Sequence, residues 1–441
     1  ARIIKERAEK YPGRWITGGD WDHDRWKSAS LPTKELIDRY TPNTPVFVNR
    51  YDGHMALANS YALKLAGITK NTPDPPGGTI VKDPKTGEPT GVLKDEAMSA
   101  VYAIVPEPSE QEMLEAARLA LAEARKLGVT SIQDISTASH LRTYQTLKAQ
   151  GELTARFYCR LPISQWEHLA NSGIKVPFGD EWVRVGSLKA FADGSLGSST
   201  ALFFEPFTSD PSTKGLAMDI VMDGRLEKWA IAADKAGLQL SIHAIGDSAN
   251  SIILDLFEKI TNTNPKWDRR FRIEHAQHLH PKDFKRFAAL GVIASMQPYH
   301  AIDDGRWAEK RIGYERCKTT YAFKSLLEHN VKLTFGSDWT VAPLNPILGI
   351  YAAVTRRTLD GATPNGWIPE QKITVEQSIR AYTIENAYGA FEEKEKGSIE
   401  VGKVADLVVL SDDILNIDPV KIEQVQVDMT VLGGKVVWER K

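Results

Sequence analysis

Cysteine is nearly absent: 441 residues hold two, Cys159 and Cys317. Neither sits in a Cys-x-x-Cys pair, which excludes a disulfide framework and a thiolate metal site. Two isolated thiols fit a reducing, cytoplasmic setting. Surplus charge is absent too. A formal net charge of −2 and a pI near 6.6 leave no basic footprint for nucleic acid. No apolar run approaches the roughly 18 residues that a membrane span needs, and there is no internal repeat or low-complexity tract. The chain also lacks an initial methionine. It starts at Ala1 on "ARIIKERAEKYPGRW", a helix already under way, so any targeting segment is expected upstream. What remains is an ordinary globular composition, 42% hydrophobic and 25% charged. The length suffices for a large core and more than one domain. The expected partners are a small-molecule substrate and a second copy in a homodimer, with no nucleic acid and no membrane.

From about residue 110 a helix–strand rhythm sets in. "EQEMLEAARLALAEARKLG" has apolar residues at helical spacing and a glycine stop. Seven strand-like segments follow: "VTSIQDIS", "ARFYCRLP", "VRVGSLKAFADGS", "LQLSIHAIGD", "FRIEHAQ", "VIASMQP" and "KLTFGSDW". Amphipathic helices such as "RLEKWAIAADKAG" separate most of them. Alternation of this kind predicts an α/β fold with a parallel sheet, one strand short of a (β/α)8 TIM-like barrel. Residues 14–105, rich in Trp, Pro and Gly, read as an inserted cap or subdomain. Residues 1–13 read as the first barrel helix and 106–395 as the barrel. Residues 396–441 read as a few antiparallel strands, part of a small β-sandwich, with a hairpin turning at Gly433-Gly434.

Barrel enzymes keep their chemistry at the C-terminal ends of the strands. There the sequence places Lys189, His243, His275 and Asp338, each on a different strand. Alternation with period two puts Ser241 with His243, and Ile273 with His275, on one face, leaving Glu274 toward the helices. Imidazoles and a carboxylate are ligands for a divalent ion. Taken singly, a strand histidine is more often a packed core residue, a lysine a solvated cation and an aspartate a turn former. The conjunction of four at strand ends carries the metal-site reading. His278 and His280 form a His-x-His pair in "EHAQHLHP", but they lie beyond the strand, on the loop or the entry to a helix. Two ligands on a mobile loop hold geometry poorly, so the pair is read as a decoy, with His278 at most supporting the site.

These residues resemble the metal-dependent amidohydrolase superfamily, and within it the YtcJ-like branch that includes N-substituted formamide deformylases. The likeness runs through "WITGGDWDHDRW", "RYDGHMALANS", "KAFADGSLGSST", "SIHAIGD", "RIEHAQH", "SMQPYHAIDD" and "FGSDWTVAP", and closes with "GSIEVGKVADLVVL" and "MTVLGGKVV". It implies a barrel with a His-x-His on the first strand, a bridging Lys or Glu on the fourth, a His on each of the fifth and sixth, and an Asp on the eighth. Lys189, His243, His275 and Asp338 match the last four positions. One or two divalent ions, zinc above all, are then expected, with Lys189 carbamylated by CO2 into a bridge between them. No His-x-His lies ahead of the first helix. The first barrel strand and the N-terminal half of a composite sandwich are therefore expected to be missing from this chain, as in a fragment.

The implied reaction is hydrolysis of an amide-like C–N bond, with Asp338 as general base and His275 in the catalytic set. Substrate contacts are expected from His54, from Gly194 in the loop 193–200, and from Tyr299 and His300, with Asp303 and Asp304 nearby. Trp21, Trp26, Trp307 and Trp339 suggest an aromatic-lined pocket. Two rival readings stand beside this one. A glycosidase needs two facing carboxylates, and Asp338 alone occupies a suitable strand end. A non-enzymatic regulatory protein on the same scaffold is the other.

Overall fold

The computed structural model describes residues 1–27 and 30–441. Contacts divide the chain into two units, one of residues 1–107 with 193–223 and one of 108–192 with 224–441. The division differs from the one expected at residues 13 and 105. Helix Arg2–Lys10 was expected in the barrel, yet Ile4 and Ala8 pack with Ile16, Ile37, Val46 and Val48 of the first unit. Apolar burial, not sequence neighbourhood to the barrel, decides where that short helix goes. The first unit is built on four antiparallel strands in the order Phe47–Asn49, Met55–Ala58, Pro89–Asp95, Gly78–Lys82. Residues 193–223 join it through the Ser195 hydroxyl, which donates to Asp52 at 2.5 Å, and the Lys94 ammonium, which donates to the Ser198 carbonyl at 2.7 Å.

The second unit opens on helix Glu110–Lys126. Ser109 and Glu112 close a capping box at its start, Arg125 and Lys126 sit in its last turn, and its buried stripe is Leu114, Leu121 and Ala124. Seven parallel strands then follow in chain order and in spatial order: β1 (Ser131–Ile135), β2 (Arg156–Pro162), β3 (Val183–Phe191), β4 (Leu240–Ala244), β5 (Arg272–His275), β6 (Ile293–Met296) and β7 (Leu333–Phe335). They form a curled, TIM-like sheet, as the helix–strand rhythm predicts. The edges are tied through Asn386, whose carbonyl accepts from Gln133 on β1 at 2.9 Å and whose amide donates to the Phe335 carbonyl on β7 at 2.6 Å.

The concave face of this sheet is polar. Ser241 pairs in register with Lys189 and Arg272, and His243 with Glu274, so all five side chains share one face. Arg272 donates to Gln133, although β2, β3 and β4 lie between their strands; only the hollow side of a curled sheet allows that contact. Glu274 therefore points inward, against the sequence expectation, and Ile273 points to the helices. The expectation fails because His275 has φ +73 and the next residue, Ala276, φ +43. A left-handed residue at the strand end breaks the two-residue alternation on which the count relied. Glu274 is buried between Arg160 (2.8 Å) and Arg272 (3.0 Å) and accepts from Ser295 at 2.9 Å.

The C-terminal strands Leu407–Leu410, Val427–Leu432 and Lys435–Glu439 form an antiparallel sheet. The hairpin turns at Gly433 and Gly434, with φ +56 and +77, the left-handed pair that a two-residue turn requires. The Thr430 hydroxyl donates to the Arg125 carbonyl at 2.7 Å, and Arg156 of β2 grips Asp406 with two hydrogen bonds of 2.7 and 3.0 Å. These bonds fasten the small sheet to the barrel unit. Among the described residues no helix is long and apolar enough to cross a membrane.

Candidate metal centre

Lys189 on β3, His243 on β4 and His275 on β5 stand at or near the C-terminal ends of neighbouring strands; Asp338 follows β7 by three residues. Their strands are the third, fourth, fifth and seventh of the sheet. The His243 and His275 rings lie 4.6 Å apart, edge to face. His275, His300 and Asp338 bring their ligand atoms within 4.8 Å of one another, with His300 Nε2 3.9 Å from Asp338 Oδ2.

Burial sets the protonation states. It pulls the Lys189 ammonium down to about 7, with Arg160 and Arg272 acting in the same direction and Glu274 and Asp338 opposing. A neutral amine is thus accessible near neutral pH. Burial also holds His275 well below the ordinary imidazole value, and His243, Lys189 and His300 reinforce it against Asp338. A neutral imidazole is the form that binds a metal. Its tautomer is set by Gln297: the amide nitrogen of Gln297 faces the Ser295 carbonyl at 3.4 Å, leaving Oε1 to accept from His275 Nδ1 at 2.8 Å. Nε2 of His275 then carries the lone pair, the arrangement that supporting carbonyls give metal-bound histidines. Sequence reasoning missed Gln297; its place directly after β6, in "SMQP", was the available signal.

The donor set fits a divalent ion of borderline softness: imidazoles, one carboxylate and a buried amine. His278 and His280 do not join any metal-donor group among the described residues. His278 is buried, its Nδ1 lies 2.8 Å from the Thr320 hydroxyl, and burial together with Arg316 pushes it down to about 3. His280 accepts the Lys282 N–H at 3.2 Å, at the entry to the helix Asp283–Leu290. Asp22, His23 and Asp24 also cluster, and there Arg50 bonds both carboxylates, at 3.3 and 2.8 Å.

The expected substrate residues divide between the units. Tyr299 and His300 lie on the helix Pro298–Asp304 of the second unit, where Tyr299 packs against an apolar cluster that includes Ile302 and Ile350. Asp304 accepts from Gln277 at 2.9 Å and Tyr321 at 2.6 Å, and Asp303 pairs with Arg306. His54 and Gly194 belong to the first unit. Burial works against a charge on His54, yet Asp95, 2.7 Å from Nδ1, together with Asp52 and Asp193 raises it above the ordinary value. The Gly194 N–H donates to the Thr200 carbonyl at 3.2 Å, and a Cβ there would fall 1.9 Å from the Thr200 hydroxyl. Close packing thus explains that glycine. The four tryptophans separate two and two, Trp21 and Trp26 in the first unit, Trp307 and Trp339 in the second.

A model of the amidohydrolase family matches residues 1–438. The protein LONG AFTER FAR-RED 3 of Arabidopsis thaliana is 41% identical over 99% of this chain and 76% of its own length. The putative amidohydrolase YtcJ of Bacillus subtilis (strain 168) is 34% identical over 100% of this chain and 83% of its own. A solved structure, an uncharacterized metal-dependent hydrolase from Pyrococcus horikoshii OT3, superposes with a TM-score of 0.75 at 28% identity, covering 95% of this chain and 81% of that one.

Proposed function

Because the chain belongs to the amidohydrolase family, we propose that it is a metal-dependent hydrolase cleaving the amide-type C–N bond of a small N-formyl or N-acyl amine. The observation that carries this reading is the convergence of Lys189, His243, His275 and Asp338 at the C-terminal ends of the strands of one parallel sheet. The substrate class follows the sequence resemblance to N-substituted formamide deformylases. His243 and His275, together with Asp338, would hold a zinc-like ion. Such an ion supplies acidified water and a polarised carbonyl. Asp338 accepts the proton of the attacking water on a carboxylate oxygen and returns it to the leaving nitrogen.

Lys189, whose neutral amine is populated near pH 7, attacks the carbon of CO2. An N–C bond would form as one C–O π bond of CO2 opens onto oxygen and one proton leaves the neutral amine, giving a carbamate anion that would serve as a metal ligand; counted from the ammonium form, two protons leave. Tyr299, on the helix that follows β6, is assigned to substrate recognition.

The test is amine release from a panel of N-formyl and N-acyl amines, by protein loaded with zinc and by protein stripped with a chelator. Hydrolysis by the loaded form alone supports the reading. No turnover across the panel by protein that demonstrably holds metal would count against it and favour a regulatory protein on the same scaffold.

A further inference from the structure

We propose that Asn250 is a positioning residue for the metal centre: its side-chain amide ties the end of β4 to the chain leaving β5 and so holds His275 in the left-handed conformation that ends its strand. The inference rests on the reading as a metal-dependent hydrolase and concerns a residue that is itself no ligand.

Geometry carries it. Asn250 lies near the start of the helix Asp247–Thr263, which follows β4, and is fully buried. Its Nδ2 faces the carbonyls of Ala244, Ile245 and Gly246 at 3.2, 3.4 and 2.9 Å, and the carbonyl of His278 at 3.3 Å. Those four acceptors fix the orientation of the amide, because its oxygen in the same place would meet only other oxygens. The His278 N–H donates to the Ile245 carbonyl at 3.0 Å. His278 is thus held to the end of β4 through both of its backbone groups.

The strand end needs such a tie. His275 stands in register opposite Ala244, and it and Ala276 have φ +73 and +43. A residue with a Cβ adopts that conformation at a cost, and two in succession persist only where the surroundings over-determine them. Downstream, the Gln277 carbonyl accepts the Tyr321 N–H at 2.7 Å, and Asn250 adds the link back toward β4, the strand of His243. Without that link the turn is free to relax toward ordinary φ values. Relaxation rotates the backbone that carries the His275 ring, which lies 4.6 Å from the ring of His243. The His278 side chain has no part in this, since its ring bonds Thr320.

The test compares wild type, Asn250→Leu, Asn250→Ser and Thr430→Val, with folding checked by circular dichroism. Leucine keeps the bulk and removes the donor. Serine in a helix bonds the carbonyl four residues back, so it keeps the bond to Gly246 and is too short for His278. Thr430→Val removes a hydroxyl bond to the Arg125 carbonyl on the small C-terminal sheet and controls for lost stability. Zinc affinity is measured by chelator competition, and the d–d bands of the Co2+ protein report ligand geometry. Both Asn250 variants should weaken zinc about 10–100-fold, the cost of losing a supporting partner, and shift the Co2+ bands, while Thr430→Val binds both ions as wild type does. Should leucine prevent folding, serine alone decides. Wild-type affinity and bands in either folded Asn250 variant, or an equal weakening in Thr430→Val, overturn the inference and leave the hydrolase reading standing. A wild-type protein that binds neither ion overturns both.

Discussion

Replacing Glu274 with Gln tests the charged floor of the barrel. The carboxylate lies between the guanidinium groups of Arg160 and Arg272, at 2.8 and 3.0 Å, and the side chains of all three are nearly excluded from solvent. Glutamine keeps the shape and removes the charge, leaving two buried cations uncompensated. Breaking a buried ion pair in this way costs about 3–5 kcal/mol. The assay is urea unfolding of metal-free protein at pH 7, followed by tryptophan fluorescence. A second variant, Arg160→Met with Glu274→Gln, removes one of the stranded cations and should recover part of the loss.

The effect also has a pH signature. Burial alone would raise the Glu274 carboxyl, but Arg272 and Arg160, with Lys189 and Ser295, hold it far below the usual carboxylate range. A folded value below the unfolded one means that its contribution is complete above about pH 4.3 and is lost as the pH falls beneath it. The gap between wild type and Glu274→Gln should therefore narrow as acid is added. An unfolding free energy within about 0.5 kcal/mol of wild type, the spread of inert surface changes, would refute the account of the floor.

Gln297→Leu removes the acceptor that fixes His275, so zinc affinity by chelator competition should drop about 10–100-fold; an unchanged affinity would show that His275 is oriented by something else. His278→Phe should cost about 0.5–1.5 kcal/mol through its lost hydrogen bond to the Thr320 hydroxyl, which still donates to the Arg316 carbonyl, while the metal content stays at the wild-type value, and a loss of metal would restore the His-x-His reading. Asp95→Asn should lower the imidazole titration of His54 seen by NMR. In the wild type the folded His54 value lies above the unfolded 6.5, so its stabilising contribution is present below that pH and fades as the pH rises through the folded value. A His54 titration unmoved by Asp95→Asn would contradict the pairing.

The strands were legible because short segments alternating apolar with polar residues recur between amphipathic helices, and the turn at Gly433-Gly434 announced itself by its two glycines. The strand-end residues were legible for the same reason, since a parallel sheet places the ends of its strands at one rim. The facing of Glu274 was not, because alternation counted back from His275 passes through a left-handed residue that no propensity marks. Counting from Phe271 and Ile273, apolar residues fit to pack under helices, would have turned Arg272 and Glu274 inward. A helix–strand rhythm also does not reveal that residues 193–223 leave the barrel unit, since the Ser195–Asp52 and Lys94–Ser198 contacts that hold them join residues about a hundred or more positions apart.

The most direct measurement is the metal content of purified protein, wild type beside His275→Ala, by elemental mass spectrometry after dialysis against metal-free buffer. A stoichiometric divalent ion in the wild type, lost in His275→Ala, is the predicted result. An ion absent from the wild type even after reconstitution, or undiminished in His275→Ala, would contradict a metal centre built at the strand ends.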